Sequence, residues 1–150
     1  INCHCYFSWS ALGRCNTCKT QKREQSKADT FPREPILVVE DDDMVRLPMV
    51  ECLRTLGCTV ESARDGVEAL AIASSSEHYF GYLLSDLIMP SLNGRELAQK
   101  LREYNPSIKV VFMSGYDPEP IKGSNDGAND IVLIKPFTID DLREAFSEAR

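Results

Sequence analysis

Three carboxylates, a hydroxyl and a lysine stand at the ends of four short apolar runs. Glu40 and Asp41 follow Ile36-Leu37-Val38-Val39, and Asp86 closes Tyr82-Leu83-Leu84-Ser85. Ser114 closes Val110-Val111-Phe112-Met113, and Lys135 closes Ile131-Val132-Leu133-Ile134. Continuous apolar runs of this length read as strands covered on both faces. Ligands of open α/β sheets bind at the carboxyl ends of such strands. Carboxylates gathered there repel one another, and a hard cation relieves the repulsion. Mg²⁺ favours one or two carboxylates together with waters and phosphate oxygens. An aspartate can attack a phosphoryl group and form an acyl phosphate. The group in transit is anionic, so a metal and a lysine are needed to neutralise it. Lys135 supplies that charge, and Ser114 can donate a hydrogen bond to a phosphate oxygen. The set is a candidate site for Mg²⁺-dependent phosphoryl transfer to Asp86.

Positioning these residues requires a particular order of elements. After the first strand, Val45, Met49, Cys52, Leu53 and Leu56 recur at helical spacing, and Gly57 ends that helix. Pro48 falls close to its first turn, where it costs less than in the middle. Cys58–Ser62 reads as a second strand. Asp65-Gly66 opens a helix expected to turn Val67, Leu70 and Ala71 inward. A loop from Met89 to Gly94 leads into a helix with Leu97 and Leu101 inward, which Asn105-Pro106 stops. Ile108–Met113 is the fourth strand. The stretch 117–129 holds two prolines and two glycines, so any helix there is short or irregular. Thr138 caps a last helix carrying Ile139, Leu142, Ala145 and Phe146 inward, with Asp140 and Asp141 in its first turn. Five strands alternating with about five helices predict a doubly wound, five-stranded parallel α/β sheet. The flavodoxin-like order 2-1-3-4-5 would set the first and third strands side by side, with Glu40 and Asp41 next to Asp86.

Composition narrows the partners. The net charge of −6 is unevenly spread. Residues 1–35 carry six Lys/Arg against three Asp/Glu, and residues 36–150 carry eleven against twenty. So acidic a domain is a poor nucleic-acid binder, and its partners are cations, metal-borne phosphate and other proteins. No apolar run approaches the roughly 18 residues of a membrane span, and the first residues lack the basic start and apolar stretch expected of a secretory signal. A start at Ile1 rather than Met suggests a fragment or processed product. Residues 1–35 read as a Cys-containing tail and polar linker without regular structure, and residues 36–150 as the folded domain. Cys3, Cys5, Cys15 and Cys18 offer a possible four-ligand zinc set. The competing and favoured readings are a disordered tail, a truncated upstream domain, or sequence that does not belong to the functional protein. Cys52 and Cys58 fit ordinary small apolar positions.

The motifs Leu-Val-Val-Glu-Asp-Asp (37–42), Ser-Asp-Leu-Ile-Met-Pro (85–90), Met-Ser-Gly-Tyr (113–116) and Ile-Lys-Pro-Phe (134–137) resemble those of the receiver domain of two-component response regulators. The resemblance spans residues 36–150, and the four motifs in order are specific together. It implies that Asp86 is the phosphoacceptor. Asp41 would bind Mg²⁺ directly, Glu40 would bind it through water, and the backbone carbonyl of Ile88 would complete the protein ligands. Ser114 would be the switch hydroxyl and Lys135 the phosphate contact, with a cis Lys135–Pro136 bond. The donor would be a phosphohistidine on a histidine kinase or phosphotransfer protein, in the cytoplasm. Self-phosphorylation and autodephosphorylation are implied, but turnover of an external substrate is not. One departure is plain: Val132 stands where the family usually has Tyr or Phe. Met-Ser-Gly-Tyr with a poor fourth helix is more similar to receivers of hybrid histidine kinases than to those fused to DNA-binding domains.

Other readings stand beside this one. An aspartate-nucleophile phosphatase wants a second acid two residues after the nucleophile, and Ile88 occupies that place. A nucleotide-binding module would want a glycine-rich loop after the first strand. A receiver-like interaction domain not controlled by phosphate is kept open by Val132. Asp42 and Asp43 fit an acidic helix N-terminus, and His78 an ordinary surface position.

Overall fold

The computed structural model describes residues 31–75, 79–115 and 130–149. Five strands, β1 (Ile36–Val39), β2 (Val60–Ala63), β3 (Tyr82–Asp86), β4 (Lys109–Ser114) and β5 (Ile131–Ile134), form one sheet in the order β2-β1-β3-β4-β5. All pairs are parallel. Four helices connect or follow the strands: α1 (Asp43–Thr55), α2 (Gly66–Ser75), α3 (Gly94–Tyr104) and α4 (Ile139–Glu148). The doubly wound fold expected from the alternation is therefore present, with the flavodoxin-like strand order. The irregular helix expected within 117–129, the four tail cysteines and His78 lie outside the described residues.

Strand periodicity divides the interior in two. Ile36 and Val38 face one core, with Val50 and Leu53 of α1 and Leu142, Ala145 and Phe146 of α4. Leu37 and Val39 face the other, with Ala69 of α2 and Leu97, Ala98 and Leu101 of α3. Successive side chains of a strand point to opposite faces, so every residue of β1 is fully buried. This is the physical reason its sequence shows no polar alternation.

Two helix phases differ from expectation. In α1 the buried positions are Arg46, Val50 and Leu53, while Val45, Met49 and Cys52 are only half-buried and Leu56 is exposed. Arg46 is tolerated inside because its guanidinium finds oxygen partners there. Pro48 stands deeper than the first turn, at the sixth residue of α1. In α2, Val67 and Ala71 face outward and Leu70 is half-buried, whereas Gly66 and Ala69 are buried. A Cβ at Gly66 would meet Leu92 side-chain atoms at 2.8 Å, so α2 seats itself on the loop before α3 by its smallest residues.

The helix ends follow local chemistry. Asp42 caps α1 by accepting the Met44 N–H at 2.8 Å. Gly57 ends α1 at φ +88, with Gly57 N–H donating to the Arg54 carbonyl and Cys58 N–H to the Leu53 carbonyl. That is the Schellman arrangement, in which a left-handed glycine satisfies the last carbonyls. Asn93 and Glu96 form a reciprocal capping box on α3, as Thr138 and Asp141 do on α4. Hydrogen bonds from the Thr138 N–H and hydroxyl hold the exposed Asp141 carboxyl below its ordinary range.

Residues 31–35 lie against this body. Phe31 packs edge-on to Phe146 with ring centroids 6.2 Å apart, under the Arg143 guanidinium. The Pro35 carbonyl accepts the Gly81 N–H at 2.9 Å, and Glu34 pairs with Lys109. No helix among the described residues is long and apolar enough to cross a membrane.

Candidate functional site

Sheet register assembles the site. Val39 lies opposite Ser85 in the β1–β3 pair, so Glu40 and Asp86 emerge side by side. Ser114 pairs with Ile134 at the end of β4, which sets Lys135 beside it. The Lys135 N–H donates to the Ser114 carbonyl at 2.7 Å. The Lys135–Pro136 peptide is cis.

Glu40, Asp41 and Asp86 each offer a carboxylate oxygen, and these lie within 4.8 Å of one another. Lys135 Nζ bridges two of the three acids, donating to Glu40 Oε2 at 2.6 Å and to Asp86 Oδ2 at 2.8 Å. The other Asp86 oxygen accepts the Ile88 N–H at 2.9 Å. Asp86 is thus held at both oxygens, with its carboxylate at the strand's open end. Glu40 is 2% exposed, Asp86 is half-buried and Asp41 is exposed.

Two acids share one ammonium, and the electrostatics reflect it. Burial pushes the Glu40 carboxyl up from its ordinary range. The hydrogen bond and charge of Lys135 oppose that rise, and the Asp86 charge adds to it. Burial alone would pull the Lys135 ammonium down, but hydrogen bonds to Asp86 and Glu40 outweigh it and hold the group above 10.5. Three gathered carboxylates with one bridging ammonium suit a hard divalent cation, to which Glu40, Asp41 and Asp86 could each offer an oxygen.

The loop after β3 is shaped by close contact. A Cβ at Gly94 would lie 2.3 Å from the Asp86 carbonyl oxygen and 3.1 Å from Ser85 Oγ. Only glycine lets the start of α3 approach the strand end this closely. Ile88 has its side chain in solvent, 68% exposed, while its N–H engages Asp86. Ser114 is buried at 4% exposure. Val132 is half-buried, packs against the α2–α3 core and lies opposite Phe112 in register.

These observations decide the family. The sequence profile of the response regulator receiver domain matches residues 36–147. The chain belongs to the response regulator receiver domain family. This receiver is 33% identical over 129 residues to the sensor kinase CckA of Brucella abortus (strain 2308). The match covers 85% of this chain and spans 14% of that kinase's length. A crystal structure of the receiver domain from the hybrid histidine kinase CckA is 36% identical with a TM-score of 0.65, covering 77% of this chain and 97% of that one. The response regulator TrrA of Thermotoga maritima, solved in complex with Mg(2+)-BeF, is 26% identical with a TM-score of 0.67. There the match covers 78% of this receiver and 99% of TrrA. The likeness to hybrid-kinase receivers that the motifs suggest is thus matched by the chain's relatives.

The sequence brings out Glu40, Asp41, Asp86 and Lys135, and the fold gathers all four. It misses Arg46, whose Nη1 donates to the Glu40 backbone carbonyl at 2.7 Å. The available signal was a basic residue within an otherwise acidic first turn. Asp42 and Asp43 serve α1 as expected, one as its cap and the other in its first turn.

Replacing Lys135 tests the balance of charge. Lys135→Met leaves two acids without their common cation. Removing one partner of a buried pair costs several kcal/mol, and Lys135 is partly solvated, so a loss of about 2 kcal/mol in unfolding free energy is expected. Pairing raises the folded-state value, so its contribution is complete below 10.5 and is lost as pH rises through the folded value. The gap between wild type and variant should therefore narrow above that pH. A constant gap in urea unfolding up to about pH 11.5 would contradict the pairing.

Proposed function

We propose that this receiver takes a phosphoryl group onto Asp86 from a phosphohistidine donor, with Mg²⁺, and thereby switches a protein-binding face. The donor is a histidine kinase or phosphotransfer protein in the cytoplasm, and the domain reads no nucleic acid itself. The observation that carries this reading is Asp86 held at both oxygens beside two further acids and an ammonium.

An Asp86 carboxylate oxygen attacks phosphorus in line. The P–O bond to Asp86 forms as the donor's P–N bond breaks, and the leaving imidazole keeps the bonding pair and takes a proton. Asp41 and Asp86, with Glu40 through water and the Ile88 carbonyl, would hold the Mg²⁺ ion. Its chemistry there is neutralisation of charge shared by carboxylate and phosphoryl oxygens. The Mg(2+)-BeF complex of the similar TrrA supports such a cation. Lys135 neutralises a phosphoryl oxygen from the far side, and the Ser114 hydroxyl donates to another. The added charge and acceptors then bias the domain between two states. Val132 contributes no ring to that change, so the switch runs through Ser114 and the backbone that joins it to Lys135.

The test is direct. The chain is incubated with acetyl phosphate and Mg²⁺, and its mass is followed. A gain of one phosphoryl group, stable in acid and labile in base, mapping to Asp86 and absent in EDTA, is expected. No gain, or a gain elsewhere, refutes the reading. Steady release of phosphate from many added esters would instead favour a phosphatase, and a phosphate-independent partner complex would favour a plain interaction domain.

A further inference from the structure

Arg46 is a basic residue buried in an acidic corner, at 8% exposure. Its Nη1 donates to the Glu40 backbone carbonyl at 2.7 Å, and its Nη2 pairs with the Asp43 carboxylate. The Arg46 N–H also closes the first turn of α1 onto the Asp42 carbonyl at 2.8 Å. The Glu40 carbonyl belongs to the peptide that joins Glu40 to Asp41. On the other side, the Glu40 N–H donates to the Ala63 carbonyl at 3.2 Å, and the Glu40 carboxylate meets Lys135 and the Asp42 N–H. The acid pair is therefore pinned from strand, helix and lysine at once.

We propose that Arg46 is a positioning residue for the divalent cation: its guanidinium fixes the Glu40–Asp41 peptide so that both acids face Asp86. The inference rests on the phosphoacceptor reading and adds to it a residue outside the gathered acids. The geometry supplies two effects. A fork bonded to a carbonyl and a carboxylate removes the freedom of that peptide to rotate, because one acceptor follows β1 and the other opens α1. The buried positive charge also lessens the mutual repulsion of the acids before a cation arrives. Partners that orient ligands in this way typically contribute 10–100-fold to metal affinity. Asp43 in turn holds Arg46, so an exposed acid with no place in the site acts on it through one intermediary.

The experiment uses Mg²⁺ alone, titrated into the full chain and followed by amide ¹H–¹⁵N spectra. Arg46→Met keeps the length and apolar stem but removes every donor. It is expected to bind Mg²⁺ roughly 10-fold more weakly than wild type, and amide exchange at Asp41 and Asp42 should quicken in the metal-free protein. Arg46→Lys, which keeps the charge and one donor nitrogen but not the fork, should recover part of the affinity. At saturating Mg²⁺ the rate of phosphoryl uptake by Arg46→Met should return to within about 3-fold, which a general loss of structure would not permit. Wild-type Mg²⁺ affinity in Arg46→Met overturns the inference and leaves the phosphoacceptor reading standing. Failure of wild type to bind Mg²⁺ overturns that reading itself. Should Arg46→Met not fold, the wild-type guanidinium decides: slowed rotation about its Cζ–Nε bond is expected, and free rotation overturns the inference.

Discussion

Asp86→Asn is expected to take up no phosphoryl group from acetyl phosphate with Mg²⁺, while remaining folded. Asparagine keeps the size of the side chain and an oxygen for the Ile88 N–H, now 2.9 Å from Asp86 Oδ1. It lacks the anionic oxygen that attacks phosphorus and would form the acyl phosphate. Lys135 loses one acceptor but keeps Glu40 Oε2 at 2.6 Å, so its ammonium is not stranded. Removing Asp86 also removes a like charge that helps to raise the Glu40 carboxyl. These effects oppose one another, and a stability change within roughly 1 kcal/mol is expected by urea unfolding. The exposed competing nucleophile is Asp41, which lies in the same cluster. Full uptake by Asp86→Asn, mapped by peptide mass to Asp41, would reassign the nucleophile. Asp86 is favoured because its two oxygens are held by the Ile88 N–H and Lys135 at the open end of β3, whereas Glu40 is buried.

The contrast with Lys135→Met is informative about how the site is built. Asp86→Asn removes one ion pair, whereas Lys135→Met removes two and leaves two acids facing each other without a cation. Chemistry is lost most completely at Asp86, and folding stability is lost more at Lys135. A site whose residues served only to stabilise the fold would not separate the two measurements in this way.

The gathered acids were legible in the sequence because each stands at the end of a strand buried on both faces, and the lysine because it follows the apolar run of β5, although that edge strand is only partly covered and Ile134 is exposed. Continuous apolar runs such as Ile36–Val39 and Tyr82–Ser85 mark such strands without ambiguity of phase, and the register follows from the parallel order. Helix faces were less legible, for two different reasons. In α2 nearly every residue is small or apolar, so Val67 and Ala69 are equally good candidates for burial by composition alone. Contact with Leu92 at Gly66 chooses between them, and that contact is between elements. In α1 one of the three inward residues is an arginine, which no hydrophobic pattern marks. Its burial depends on a carbonyl six residues earlier, and the hydrogen bond exists only after β1 and α1 have met. The packing of Phe31 against α4 is of the same kind. A lone aromatic before a proline carries no period, and its partners lie more than a hundred residues away.

Phe146→Ala is expected to produce the largest loss of stability in the domain. The Phe146 ring is 1% exposed and stands at the centre of the core shared by α1, α4 and the sheet. It meets the Tyr82 ring edge-on with centroids 5.2 Å apart, and the Phe31 ring at 6.2 Å. Truncating a buried phenylalanine forfeits its transfer energy and leaves a cavity, together about 3–5 kcal/mol. Two edge-to-face pairs disappear with it, so the upper part of that range is expected. For a domain of this size such a change lowers Tm by more than roughly 10 °C. The effect should reach the site as well. Only Pro136, Phe137 and Thr138 separate Lys135 from α4, so α4 anchors the chain that carries the ammonium. Phe137 itself packs against the same core. Thermal unfolding measures the first effect, and the rate of phosphoryl uptake well below Tm measures the second. A Tm within a few degrees of wild type would mean that the neighbouring rings close over the gap. A large fall in Tm with an unchanged uptake rate would instead show that Lys135 is held by the Ser114 carbonyl and its two acids, without help from the helix behind it.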